Sequence, residues 1–202
     1  MSADKCLMNG VAGQIARAAA RLFAAKGYDA TPVRSIVEAA GVTKPALYYH
    51  YKSKEGLAQA LIHDPLSKLV AALTSLEGTP LDPVERLEQS LNVNFEFCRE
   101  DPDRGRFVYA IFFGPLGSEL ASELAHFIKA NDAVMLSIVG KLADAGLIDV
   151  GRVGDMASAC RGMIVMSTMD FLYSGKDLGP DLPRRLVGEL LHGFAKDGAR
   201  VS

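Results

Sequence analysis

From Lys44 to His50 the chain places Lys, Pro, Ala, Leu, Tyr, Tyr and His in succession. On a helix Leu47 would face inward with Val42 and Tyr51, leaving Lys44, Pro45, Ala46, Tyr48, Tyr49 and His50 outside. A solvated helix face usually carries Glu and Lys, so three aromatic or imidazole groups in a row ask for a partner. A duplex major groove would supply one. Small residues let the backbone approach base edges, tyrosines reach bases and phosphates, and the free amides of a first turn face phosphate. The competing reading packs the tyrosines inside their own domain. It is preferred for Tyr51, four residues after Leu47 on the buried stripe, and not for Tyr48, Tyr49 and His50.

Two short helices are needed to present that face. Val33, Ile36, Val37 and Ala40 recur at i, i+3, i+4 and i+7, one buried helical stripe. Thr31 before Pro32 reads as the start, a capping hydroxyl followed by a ring already set at helical φ. Gly41 ends the stripe where an exiting chain needs positive φ. Thr43 then reads as the next N-cap, with Pro45 in a first turn where its missing N–H costs nothing. Two helices joined by a tight turn containing Gly form a helix-turn-helix pattern.

The segment LFAAKGYDATPVRSIVEAAGVTKPALYYHYKSKEGLAQAL resembles the DNA-binding domain of the tetracycline-repressor-like (TetR) family of bacterial transcriptional regulators. The likeness covers about residues 10–62. It implies that Thr31 and Arg34 lie near one phosphate strand, that Lys44, Pro45, Ala46 and Tyr48 face base edges and nearby backbone, and that Tyr49, His50 and Lys54 clamp other phosphates. Thr43, the cap of the reading helix, is counted with these residues as DNA-binding. Two positions depart from the pattern. Gly56 stands where an acidic residue is common, so Ser53 lacks its capping-box partner. Tyr51 stands where Phe is frequent, leaving a hydroxyl to satisfy.

The expected architecture is all-α. Residues 1–9 read as a flexible lead, 10–62 as the DNA-binding domain and 63–202 as a helical effector-binding and dimerisation domain, with the boundary near Pro65. Ile15, Ala18, Ala19, Leu22 and Phe23 form the stripe of a first helix ending near Lys26 and Gly27. Further helices are expected at Lys54–Asp64, Leu66–Leu76, from Asp82-Pro83 to about Arg99, Phe107–Phe113, Glu119–Ala145, 153–174 and 182–197, with Asp101-Pro102 as a break. Met156, Ala159, Met163, Met166 and Asp170 share one face, and Leu186, Leu190, Leu191 and Phe194 another. The resemblance implies a homodimer through these last two helices.

The formal charge of −2 is unevenly spread: residues 1–62 carry net +4 and the remainder net −6. A basic front end on an acidic body concentrates attraction for phosphate at one end. No apolar run is long enough for a membrane span and the start has no signal-peptide core, so a cytoplasmic protein is expected. Cys6, Cys98 and Cys160 are odd in number and have no CxxC, which argues against disulfides and structural zinc. Buried hydrophobe is the preferred reading of Cys98 and Cys160, with a redox thiol as the alternative.

An enzyme built on a helical bundle finds no support in Glu-x-x-His, HExxH or P-loop spacing, and no cofactor is expected. The resemblance implies a small, largely apolar effector. Asn92, Phe95, Phe112, Phe113, His126 and Met135 are candidates to line its site, although the same residues would serve as bundle core. A DNA-binding dimer without an effector is the remaining alternative.

Overall fold

The computed structural model describes residues 10–114 and 119–193. Among these residues all regular structure is helical: α1 Val11–Lys26, α2 Val33–Ala40, α3 Lys44–Tyr51, α4 Lys54–Ser75, α5 Pro83–Glu100, α6 Pro102–Phe112, α7 Glu119–Asp144, α8 Val153–Ser174 and α9 Leu182–His192. The expected lead at 1–9, Cys6, Phe194 and the last turn to 197 lie outside the described residues. The chain divides into two compact units, one holding residues to Lys68 with Glu100–Lys129, the other Leu69–Arg99 with Ala130 onward.

The first unit is built on α1. Its buried stripe of Ile15, Ala18, Ala19 and Phe23 receives α2 and α3 on one side and α6 along its length. Phe23 meets Phe107 of α6 at 5.0 Å between ring centroids and Tyr28 at 5.3 Å. Both phenylalanines are fully enclosed, and each such side chain contributes roughly 1.5–3 kcal/mol. Ile36, Leu47, Leu57 and Ile62 complete this core from α2, α3 and α4. Gln59 of α4 donates to Glu119 of α7 at 3.2 Å, and the His63 ring stands edge-on to Phe127.

The second unit packs Leu87, Leu91 and Phe95 of α5 against Met135, Ile138, Val139 and Leu142 of α7 and Met156, Ala157, Cys160 and Ile164 of α8. Val187 of α9 and Leu178 close this core. Its polar members are largely paired. Asn94 donates to the Ser90 carbonyl and accepts from Asn131, and Arg161 pairs with Asp132 at 2.9 Å. Buried Arg86 donates to the carbonyls of Leu76, Glu77, Thr79 and Leu81 at 2.8–3.0 Å, locking the turn between α4 and α5. Cys98 and Cys160 are buried cysteines outside any disulfide. Burial pushes the Cys160 thiol up to about 11, which suits a packing role rather than redox work.

Three punctuation signals read differently in space. Pro65 lies inside α4, which continues to Ser75 without ending near residue 64. A proline deletes one helical donor, a local cost, while Leu57, Leu61, Ile62 and Leu66 continue the buried stripe through it. Asp101-Pro102 starts α6 rather than only breaking α5: the Asp101 carboxylate accepts from the Arg104 amide at 3.0 Å, so the helix begins at Pro102 instead of Phe107. Thr31 is not the cap of α2. Pro32 occupies that position without a side-chain cap.

Candidate nucleic-acid interface

α2 ends at Gly41, whose φ of 66° and ψ of 32° give the left-handed exit that glycine adopts without strain. The Gly41 amide donates to Glu38 and the Val42 amide to Val37, so the turn satisfies the helix end as it reverses direction. Thr43 then caps α3, accepting from the Ala46 amide at 3.4 Å, with Pro45 in the first turn. The apolar anchor of α3 is Leu47, fully buried. Tyr51 also turns inward and donates its hydroxyl to the Ala12 carbonyl at 2.8 Å. Burial, with a smaller contribution from the Asp64 charge, raises its pKa.

The rest of α3 faces outward. Lys44, Pro45 and His50 are exposed, Ala46 is half-buried, and Tyr48 and Tyr49 retain 44% and 77% of their surface in the protomer. Tyr49 meets His50 edge-on at 5.1 Å, and the His50 ring lies 6.4 Å from that of Tyr51. Polar and aromatic groups on a rigid helix with little cover form a surface able to enter a groove.

The flanking cations are already oriented. Arg34 on α2 is exposed and pairs with Glu38 at 2.7 Å, one turn along the helix. Lys54 at the start of α4 places its ammonium 4.2 Å from the centre of the Tyr28 ring and 3.4 Å from the Asp29 carbonyl. Tyr28 donates in turn to Glu55 at 3.1 Å. Burial and then that hydrogen bond push the Tyr28 phenol up to about 12. Glu55 is held below its ordinary range by its own amide, the Ser53 hydroxyl and Tyr28, in that order.

Thr31 requires a correction. It has no exposed surface, and its hydroxyl donates to the carbonyls of Gly27 at 2.8 Å and Leu22 at 3.4 Å. The side chain ties the α1–α2 loop onto the end of α1 and has no hydroxyl left for phosphate.

Sequence reasoning passed over the junction that leaves α3. Lys52 has φ 66° and ψ −43°, and the Ser53 amide donates to the Tyr51 carbonyl at 2.7 Å. This is a three-residue γ-turn of the positive-φ kind, a rare conformation that costs a lysine about 1–3 kcal/mol. The Tyr51 carbonyl lies over Gly56, where a Cβ would stand 2.3 Å from that oxygen. Gly56 therefore belongs to the turn, and the missing acidic residue is a consequence of it. Ser53 still caps α4 by accepting from the Gly56 amide at 3.0 Å.

The effector candidates separate into different surroundings. In the second unit Phe95 and Met135 are members of the packed core, and Asn92 accepts from Arg99 at 2.7 Å. In the first unit His126 is exposed beside Phe127. Phe112 and Phe113 contact each other at 4.8 Å and form a surface cluster with Tyr109, a member absent from the sequence-based set. Phe113 keeps 62% of its surface, so this cluster is not a closed core. No group of His, Cys, Asp and Glu able to hold a metal occurs among the described residues. No helix among them is long and apolar enough to cross a membrane.

Comparison with known proteins finds relatives in sequence and in fold. The profile of bacterial regulatory proteins of the tetR family matches residues 15–61, the span from Ile15 of α1 to Leu61 of α4. The HTH-type transcriptional regulator YdgC of Bacillus subtilis (strain 168) is 28% identical over 193 residues, 93% of this chain and 94% of that protein. The HTH-type transcriptional repressor KstR2 of Mycobacterium tuberculosis is 34% identical over 89 residues, 44% of each chain. Among solved structures, FadR of Bacillus subtilis in complex with stearoyl-CoA superposes with a TM-score of 0.71 at 19% identity, covering 91% of this chain and 99% of that one. AibR in complex with isovaleryl coenzyme A and operator DNA superposes with a TM-score of 0.69 at 21% identity, covering 90% and 98%.

Proposed function

Because the chain belongs to the TetR family of bacterial transcriptional regulators, we propose that it holds a palindromic duplex operator as a homodimer and is released by a small, largely apolar effector. The observation that carries this reading is the outward face of α3. Lys44, Pro45, Ala46 and Tyr48 read base edges, while Tyr49, His50, Arg34 and Lys54 grip phosphate. One such helix reads only a few base pairs, and two related by a dyad read a palindrome at a spacing set by the duplex repeat.

The dimer forms through α8 and α9. Ala159, Gly162, Met166 and Tyr173 of α8 are exposed in the protomer, and Leu186, Leu190 and Leu191 of α9 are only partly covered. Small residues with Met and aromatic groups suit a close helix–helix contact. The protein acts in the cytoplasm, where its DNA is. Repression is the favoured outcome, in line with the word repressor in the name of KstR2.

For the effector, the acyl-coenzyme A ligands of FadR and AibR favour an acyl thioester. The Tyr109–Phe112–Phe113 cluster is the apolar surface best suited to meet an acyl chain. To empty its operator the effector must prefer the released state; a hundredfold preference corresponds to ~2.7 kcal/mol. A second reading, a DNA-binding dimer without effector, is favoured by the tight burial of Phe95 and Met135.

Selection of bound sequences from a random duplex library at fixed salt tests the DNA reading; recovery of a palindrome is the expected result, and no enrichment over the input would end it. Acyl-coenzyme A compounds of graded chain length, titrated against the selected duplex, separate the two effector readings. Release by one chain-length class supports the first, and failure of all with binding intact supports the second.

A further inference from the structure

Among the described residues, Lys52 is the one position other than glycine with a positive φ. Nothing in its turn calls for lysine: the hydrogen bond that closes it runs between the backbones of Tyr51 and Ser53, and glycine would adopt the same dihedrals freely. What a glycine could not supply is the side chain. That side chain is exposed, and its ammonium stands 3.5 Å from the Tyr49 carbonyl at the end of α3, next to the Tyr49–His50 ring pair. Arg34 shares its charge with Glu38 in an exposed pair, whereas no described carboxylate lies within ion-pair distance of the Lys52 ammonium.

We propose that Lys52 is a phosphate-contacting residue of the α3 surface, its charge kept at a backbone position that favours glycine. Strained residues persist where the surrounding structure fixes them, and they concentrate at binding sites. Here the strain fixes the stem of the lysine at the C-terminal end of α3, so that the ammonium emerges beside the two aromatic groups expected on the same phosphate strand. The competing role is structural: an ammonium near the last carbonyls of a helix also complements the helix dipole. The proposal rests on the DNA reading above, and the test is arranged so that the two can fail separately.

The full-length protein with Lys52→Gln, Lys52→Arg, Lys52→Gly or Lys54→Ala is titrated with a random-sequence duplex and with the library-selected duplex across a salt series. Lys52→Gln keeps the strained turn and removes only the charge. It should weaken both duplexes alike, by about five- to tenfold per subunit near 0.1 M salt, and lower the salt slope by about one per subunit. Lys52→Arg should restore both. Lys52→Gly should lose the same binding while its thermal midpoint rises, because strain is relieved. If Lys52→Gln leaves the slope intact while Lys54→Ala lowers it, the proposal falls, Lys52 is a capping residue and the DNA reading stands. A lowered midpoint in Lys52→Gly with unchanged binding overturns the proposal in the same way. If no duplex is bound by the unaltered protein, the DNA reading fails and takes the proposal with it.

Discussion

The Lys54 ammonium rests 4.2 Å from the centre of the Tyr28 ring, and the hydroxyl of that ring is bonded to Glu55, the residue after the lysine. One aromatic side chain thus holds both the cation expected on phosphate and the carboxylate beside it. A cation placed before binding loses less side-chain freedom on the duplex. Glu55 would attract Lys54 by itself; the ring instead offers the ammonium a face and the carboxylate a donor.

Tyr28→Leu should therefore weaken DNA binding by about 0.5–1 kcal/mol, the size of a cation–π contact at an open site. Tyr28→Phe keeps the ring face and should bind nearly as the parent does. Equilibrium titration of both variants with one duplex checks the difference.

Tyr48→Ala should lower affinity for the selected duplex by ~1–3 kcal/mol and leave a random duplex little affected, with helicity unchanged by circular dichroism. Equal losses on both duplexes would move Tyr48 from base edge to phosphate.

Gly56→Ala tests the junction after α3. Helix propensity alone predicts a gain approaching 1 kcal/mol. The added Cβ would meet the Tyr51 carbonyl at 2.3 Å, a backbone atom with little room to retreat, so a net loss of about 1–3 kcal/mol is expected. Urea denaturation decides the sign.

Arg86→Lys should destabilise by about 2–4 kcal/mol, although the charge is retained. A point ammonium cannot serve the four carbonyls that the guanidinium fork reaches, and the unserved groups stay desolvated. Denaturation midpoints at one pH give the comparison.

Stability should also fall on the alkaline side. The Tyr28 phenol is raised in the folded protein, so its contribution is complete below the ordinary phenol range and is lost as pH climbs toward about 12. Glu55 acts in the opposite direction: its lowered pKa contributes above the ordinary carboxylate range and is lost as pH falls through the folded value. Denaturation across pH should show a shallower alkaline decline in Tyr28→Phe, with Tyr51 and Cys160 supplying what remains.

The helix-turn-helix was legible because its signals are local. Gly41, Thr43 and Pro45 each act on the backbone within a few residues, and α2 ends and α3 begins where those residues require. Thr31 misled because a hydroxyl before proline suits a helix cap and equally suits a loop tied back to Gly27; burial, a tertiary property, decided for the loop. Pro65 and Asp101-Pro102 misled in opposite senses, since packing carries α4 through one proline and capping makes the other pair a beginning. The reason for Gly56 lay in a carbonyl five residues back, across a turn that no pattern of residue types announces. The effector candidates were least legible, because core and cavity wall draw on the same amino acids. Phe95 and Phe113 look alike in the sequence and differ completely in exposure.

The contact between Phe23 and Phe107 also bears on how portable this reading head is. A fragment ending at residue 62 would keep every group proposed to face the duplex, yet it would strip α6 from α1 and leave Phe23 wet. Transplanting the specificity of this protein onto another regulator would require carrying α6 along, or a replacement for it, even though α6 lies far downstream in the chain. The unit that evolution or an engineer can exchange is thus larger than the motif by which it is recognised.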